Sequence, residues 1–114
     1  DCQLDEGSII SSFAFIGPNV KIGKFFHINV RSSLHHDCIV GDYVTISPGV
    51  VCNGNVIIED NVFIGAGVLI KNGNINKPLI IGKNSIVGMG TIITSDVSDN
   101  TLLYGNPNKM KKII

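Results

Sequence analysis

Cysteine is scarce in this chain of 114 residues. Cys2, Cys38 and Cys52 are odd in number and show no C-x-x-C spacing, which argues against a disulfide framework and a thiolate zinc site and leads us to expect a reducing cytoplasm. An excess of charge of one sign is missing as well. Nine basic and nine acidic residues cancel, and no basic run occurs beyond Lys109, Lys111 and Lys112, so neither a nucleic-acid footprint nor an anionic-membrane surface is expected. No stretch approaches the roughly 20 apolar residues that span a bilayer, and the opening Asp1-Cys2-Gln3-Leu4-Asp5-Glu6 is acidic, unlike a signal peptide. One soluble domain with a single core is expected, facing a small molecule or a protein. The chain lacks an initiator Met and its repeat is already running by Leu4, so it is expected to be the C-terminal part of a longer protein.

What the sequence does hold is a period of six. Leu4, Ile10, Ile16, Ile22, Ile28, Leu34, Val40, Ile46, Cys52, Ile58, Ile64 and Ile70 fall in one register. Four places after them come Ser8, Ala14, Val20, Phe26, Ser32, Cys38, Val44, Val50, Val56, Val62 and Val68, nearly all small or β-branched. Both columns are expected to point inward. Between them lie Gly, Asn, Asp and Pro, as in Ile16-Gly17-Pro18-Asn19 and Val40-Gly41-Asp42, residues that tolerate corner dihedrals. A period of six fits neither the 3.6 spacing of an amphipathic helix nor strict strand alternation. It fits an all-β triangular solenoid of about five coils, in which three hexads make each coil and equivalent positions stack about 4.8 Å apart. The run breaks at Lys71-Asn72-Gly73-Asn74 and resumes, shifted by five, at Ile81, which predicts a surface loop over 71–80. From Ser98 the hexad is lost, and a C-terminal cap over 98–114, ending in a short helix, is expected to cover the last coil.

Chemistry has to come from the outside of such a scaffold. His35, His36 and Asp37 occupy a corner directly after Leu34, with Pro18 one coil below His36 and Gly54 one coil above. An imidazole there, flanked by residues that leave space beside it, can take a proton; on its own the pair reads more readily as solvated surface. The segment Leu34-His35-His36-Asp37-Cys38-Ile39-Val40-Gly41-Asp42, with Ser47-Pro48-Gly49 after it, resembles a His-Asp-Cys-x-x-Gly-Asp-x-x-x-x-Ser-Pro-Gly signature. That signature belongs to hexapeptide-repeat acyltransferases of the sialic acid O-acetyltransferase family, which includes N-acetyltransferases of UDP-linked 4-amino sugars. The resemblance extends over nearly the whole chain, through Ile64-Gly65-Ala66-Gly67 to Gly105-Asn106-Pro107.

The resemblance implies a left-handed parallel β-helix that assembles as a homotrimer, with active sites between subunits and an N-terminal nucleotide-binding-like domain outside this chain. It implies acetyl transfer from acetyl-CoA, without a metal, to an amino or hydroxyl group of a nucleotide-linked sugar. His36 would be the general base and Asp37 its orienting carboxylate. Thr45, Gly54, Ala66 and Met89 would line the CoA path, and Asn29 and His35 would lie near the acceptor. Thr45 stands where several members have a second histidine against the thioester carbonyl, and His35 where an acidic residue often precedes the base, so His35 remains an alternative base. A trimer also suits a prism carrying apolar outward residues such as Phe13, Phe25 and Phe63. Two other readings compete. A γ-carbonic anhydrase type of metalloenzyme needs three converging histidines, and His27, His35 and His36 lack the spacing for it. A catalytically idle trimerisation scaffold would bind no CoA. Cys38 and Cys52 fall on inward positions and read as core fillers.

Overall fold

A hexad can close one side of a triangle because its two inward residues bracket a short extended segment and its remaining residues turn the corner. The computed structural model, which describes residues 1–113, bears this out: its strands are mostly two residues long. They stack into three faces. Face one holds Gln3–Leu4, Lys21–Ile22, Ile39–Val40, Val56–Ile58 and Leu79–Ile81. Face two holds Ile9–Ile10, His27–Ile28, Thr45–Ile46, Phe63–Ile64, Ile86–Val87, Thr101–Tyr104 and Lys109–Lys112. Face three holds Phe15–Ile16, Ser33–Leu34, Val51–Cys52, Leu69–Ile70 and Ile92–Ile93. The chain visits them in the order one, two, three, so the prism has five full coils and a partial sixth. All the pairing along the coils is parallel, with Lys21 opposite Ile39 and His27 opposite Thr45, eighteen residues on.

The corners are turned by one residue per hexad in the left-handed backbone region. Asn19, Asp37, Asn55 and Asn61 take φ between 57° and 60°, where a short polar side chain is tolerated. Phe13, Phe25, Arg31 and Tyr43 take the same conformation without that advantage, at φ of 54–60°. The inward columns form the core as expected: Val20, Phe26, Ile28, Leu34, Ile46, Ile58, Ile64 and Ile70 are fully buried. Leu4 and Ile10 depart from the expectation and are 48% and 43% exposed, because they belong to the first coil and no coil lies beneath them. Ser32, the polar member of the inner column, is satisfied on both sides: its hydroxyl donates to the Ser47 carbonyl at 2.6 Å and accepts from the Val50 N–H at 3.0 Å.

The shift of five appears where the sequence broke. Val56 pairs with Leu79 and Phe63 with Ile86, twenty-three residues on. Pairing resumes at Leu79 rather than Ile81, so the excursion is slightly shorter than expected. The C-terminal cap differs in kind. No helix forms among the described residues; Thr101–Tyr104 continues face two in parallel and Lys109–Lys112 returns antiparallel to it. The reason lies in a period of two: Thr101 and Leu103 turn inward and are buried, while Tyr104 faces out. The outermost strand carries Lys109, Lys111 and Lys112, and charged side chains of this kind discourage further strand addition.

Candidate active site

The turn from face three to face one after Leu34 carries the histidine pair. Its backbone is held from both sides, since the Asp37 N–H donates to the Pro18 carbonyl below at 3.1 Å and the Asn55 N–H donates to the His36 carbonyl above at 3.0 Å. Asp37 sits at φ 60°, and its Oδ2 lies 2.9 Å from Nδ1 of His36. A carboxylate at that distance favours the tautomer with the proton on Nδ1, which leaves the Nε2 lone pair free. Both side chains are accessible to solvent. Hydrogen bonding to His36, and secondarily to the Asn19 side chain one coil below, holds the Asp37 carboxyl below its ordinary value, so it stays an acceptor through the neutral range.

Glycines keep this arrangement open. A Cβ on Gly54 would overlap Nε2, Cε1 and Cδ2 of His36, so the absence of a side chain is what lets the imidazole lie over the next coil. Gly17, below, runs close to the peptide between His35 and His36, where a Cβ would come within 3.1 Å of both carbonyl carbon and nitrogen. His35 goes another way: its ring packs on Phe15 with centroids 5.4 Å apart and it is only half-exposed. His36, and not His35, is therefore the imidazole tied to a carboxylate with its ring accessible. Behind the corner, Cys38 and Cys52 are buried with their sulfurs 3.9 Å apart. The contact with Cys38 and burial push the Cys52 thiol up, which suits a core filler and not a nucleophile.

The remaining expected site residues are distributed over other parts of the prism. Thr45 points outward on face two, directly beside His27 in the ladder. Ala66 and Met89 lie on the edge between faces two and three, both exposed, Met89 at 80%. Asn29 begins the turn on that same edge, and its side-chain N–H donates to the Ile46 carbonyl at 3.0 Å. Gly54 itself is buried beneath the imidazole, so its contribution is clearance. One chain thus brings together His35, His36, Asp37 and Gly54 and leaves Asn29, Thr45, Ala66 and Met89 on another edge and face. Asn19, below Asp37, was not singled out from the sequence, and His27, below Thr45, was weighed there only as a metal ligand. The eighteen-residue step locates both.

The chain resembles known proteins in sequence and in fold. Residues 14–54 match the family described as bacterial transferase hexapeptide (six repeats). GDP-perosamine N-acetyltransferase of Escherichia coli O157:H7 is 53% identical over 57 residues, covering 50% of this chain and 26% of that protein. The structure of WeeI from Acinetobacter baumannii AYE is similar at a TM-score of 0.76 and 42% identity, over 96% of this chain and 55% of that one. The H141N mutant of perosamine N-acetyltransferase from Caulobacter crescentus, in complex with CoA and GDP-perosamine, superposes at a TM-score of 0.72 with 25% identity, over 96% of this chain and 57% of that one. The chain spans little more than half the length of these proteins at most. Residues 14–54 thus match the hexapeptide-repeat family, and the chain is similar in sequence to GDP-perosamine N-acetyltransferase over half its length and shares the fold of sugar acetyltransferases.

Proposed function

We propose that this domain transfers the acetyl group of acetyl-CoA to the amino group of a nucleotide-linked amino sugar, with His36 as general base. The observation that carries this reading is the His36–Asp37 pair: an imidazole with Nδ1 tied to a carboxylate at 2.9 Å and Nε2 turned toward space that Gly54 keeps clear. The relatives supply the chemistry on either side, an N-acetyltransferase of GDP-perosamine and a perosamine N-acetyltransferase holding CoA and GDP-perosamine.

In this mechanism the sugar amine attacks the thioester carbonyl carbon while Nε2 of His36 removes its proton. Asp37 balances the imidazolium that forms. The tetrahedral intermediate then collapses, the carbon–sulfur bond breaks, and the proton passes from His36 to the departing CoA sulfur. The residue is reset, no acyl-enzyme arises and no metal is required. Thr45 can donate a hydrogen bond to the thioester oxygen. For it to do so together with His36, face two of one copy has to meet the corner of another, and this is our reason for proposing a homotrimer with sites between subunits. Ala66, Met89 and Asn29, on an edge bordering face two, would then line the same cleft. The free thiols, two of them buried, accord with a cytoplasmic protein.

The decisive experiment pairs calorimetric titration of acetyl-CoA with a thiol-release assay on GDP-perosamine. His36→Ala should retain CoA binding and lose about 10²- to 10⁴-fold in kcat, the range for removing a general base. A well-folded protein that binds no CoA would instead be a scaffold.

A further inference from the structure

The inner columns are apolar except at a few places, and there the polar group is put to use. Ser32 donates to the Ser47 carbonyl, fifteen residues on, at 2.6 Å, and Ser85 donates to the Ser98 carbonyl at 2.9 Å. Cys38 repeats the pattern behind the His36 corner: its sulfur lies 3.3 Å from the carbonyl oxygen of Asn53, again fifteen residues on. Cys52 stands beside it, its sulfur 3.9 Å from that of Cys38 and 3.7 Å from the same oxygen. The S–H of Cys38 has the shorter reach to Asn53 and is its donor, which leaves the Cys38 sulfur to accept from Cys52. Both thiols are fully buried, so the Asn53 carbonyl points into the core. The peptide that follows is trans and planar, so the Gly54 N–H points the other way, out of the core.

We infer that Cys38 is a positioning residue for acetyl transfer: its thiol holds the Asn53–Gly54 peptide in the orientation that leaves Nε2 of His36 free. The inference rests on the acetyltransferase reading and extends it from the reacting corner to the core behind it. This peptide needs holding because glycine follows it. With no side chain, Gly54 accepts a wide range of backbone angles. Asn53 is tied to the coil above through its N–H and its side-chain amide, which donate to the Ile70 carbonyl at 3.2 and 2.9 Å, and the Asn55 N–H donates to the His36 carbonyl at 3.0 Å. None of these bonds fixes the peptide between the two residues. If that peptide turned over, the Asn53 carbonyl would swing out toward the imidazole, which lies directly over Gly54. A carbonyl beside the ring draws its proton to Nε2, and in that tautomer Nε2 cannot take a proton from the sugar amine. The thiol keeps this oxygen in the core. Packing alone does not ask for a thiol here, since Val20 below and Val56 above occupy the same column and are fully buried.

Two substitutions set donor against filler. Cys38→Val has the shape its column already uses and no donor, whereas Cys38→Ser is smaller and more polar but keeps one. Acetyl transfer from acetyl-CoA to GDP-perosamine is measured together with the backbone amide resonance of Gly54, and melting curves show that both variants are folded. The expected result is a fall of about tenfold in kcat for Cys38→Val, with the KM for acetyl-CoA unchanged, and recovery to within about twofold of the wild type in Cys38→Ser. The Gly54 resonance should move in Cys38→Val and return in Cys38→Ser. A filler predicts the reverse order, full turnover in Cys38→Val and a loss in Cys38→Ser, and that result overturns the inference. A Gly54 resonance that is the same in all three proteins overturns it too, whatever the rates, and leaves the proposed function standing. A wild type that binds no acetyl-CoA and transfers no acetyl group refutes the acetyltransferase reading, and the role of Cys38 in the reaction falls with it.

Discussion

Two edges of the prism use the same device to different ends. Between faces one and two, Gly23, Gly41 and Gly82 each leave room for a carboxylate from the coil above, that of Asp42, Asp60 and Asp99. Each carboxylate accepts from the backbone N–H after the glycine, at Lys24 and Asp42 at 2.8 Å and at Lys83 at 3.1 Å. The space is filled and the bond is structural. Between faces three and one, Gly54 leaves room for the His36 ring from the coil below, whose Nε2 has no partner among the described residues. Here the space holds a group that is free to react. At these four corners the glycine makes room for a stacked side chain, and whether that chain is already bonded distinguishes them.

Substitutions can break this comparison. Gly54→Ala has the largest expected effect: the methyl group must displace the imidazole, which is flexible, so acetyl transfer should fall about 10- to 100-fold while the melting temperature stays close to that of the wild type. Equal activity in that variant would mean that the ring's position over Gly54 is immaterial. Gly41→Ala is the mirror case. Its Cβ would meet Oδ1 of Asp60 and come within 2.9 Å of the Asp60 backbone nitrogen, which cannot rotate away. A loss of about 1–3 kcal/mol in urea unfolding is expected, with turnover per folded molecule retained. Asp37→Asn should lower kcat about tenfold by weakening the hold on the Nδ1 tautomer. Its stability signature has a defined sign. Asp37 is depressed in the folded state, so its contribution is present above the ordinary carboxylate range and disappears as pH falls through the lower folded value. Melting curves of the two proteins should converge only in acid. Smallest is Arg31→Gly, which relieves a left-handed residue at φ 60° on an exposed corner and should stabilise by a few tenths to about 1 kcal/mol.

Much of this was legible in the sequence because the fold is a one-dimensional lattice. A step of eighteen residues places Gly54 over His36 and Pro18 beneath it without any coordinates, and the inward columns follow from the same count. It also gives the Gly-Asp part of the signature a structural use: Gly41-Asp42 is a unit of the carboxylate ladder. Legibility ended where the lattice did. The tail from Ser98 has no hexad, and its choice of a strand pair over a helix depends on an unpaired sheet edge that only the assembled prism presents. The exposure of Leu4 and Ile10 is likewise an end effect, invisible to a pattern that treats every coil alike. The site was legible only in part, because Thr45, Ala66 and Met89 lie on another face and edge from His36, which a stacking count along one chain does not join to it.

The regular stacking also governs how the chain finds its structure. Every parallel contact closes a loop of nearly constant length, eighteen residues, at a cost of about 2.6 kcal/mol beyond a fixed term. The excursion lengthens three of these pairings to twenty-three residues, which adds only about 0.2 kcal/mol to a closure. Folding can thus start at one coil and spread to its neighbours, each addition facing the same small barrier. A surface loop can therefore be accommodated at a corner with almost no kinetic penalty, as the excursion between faces three and one illustrates.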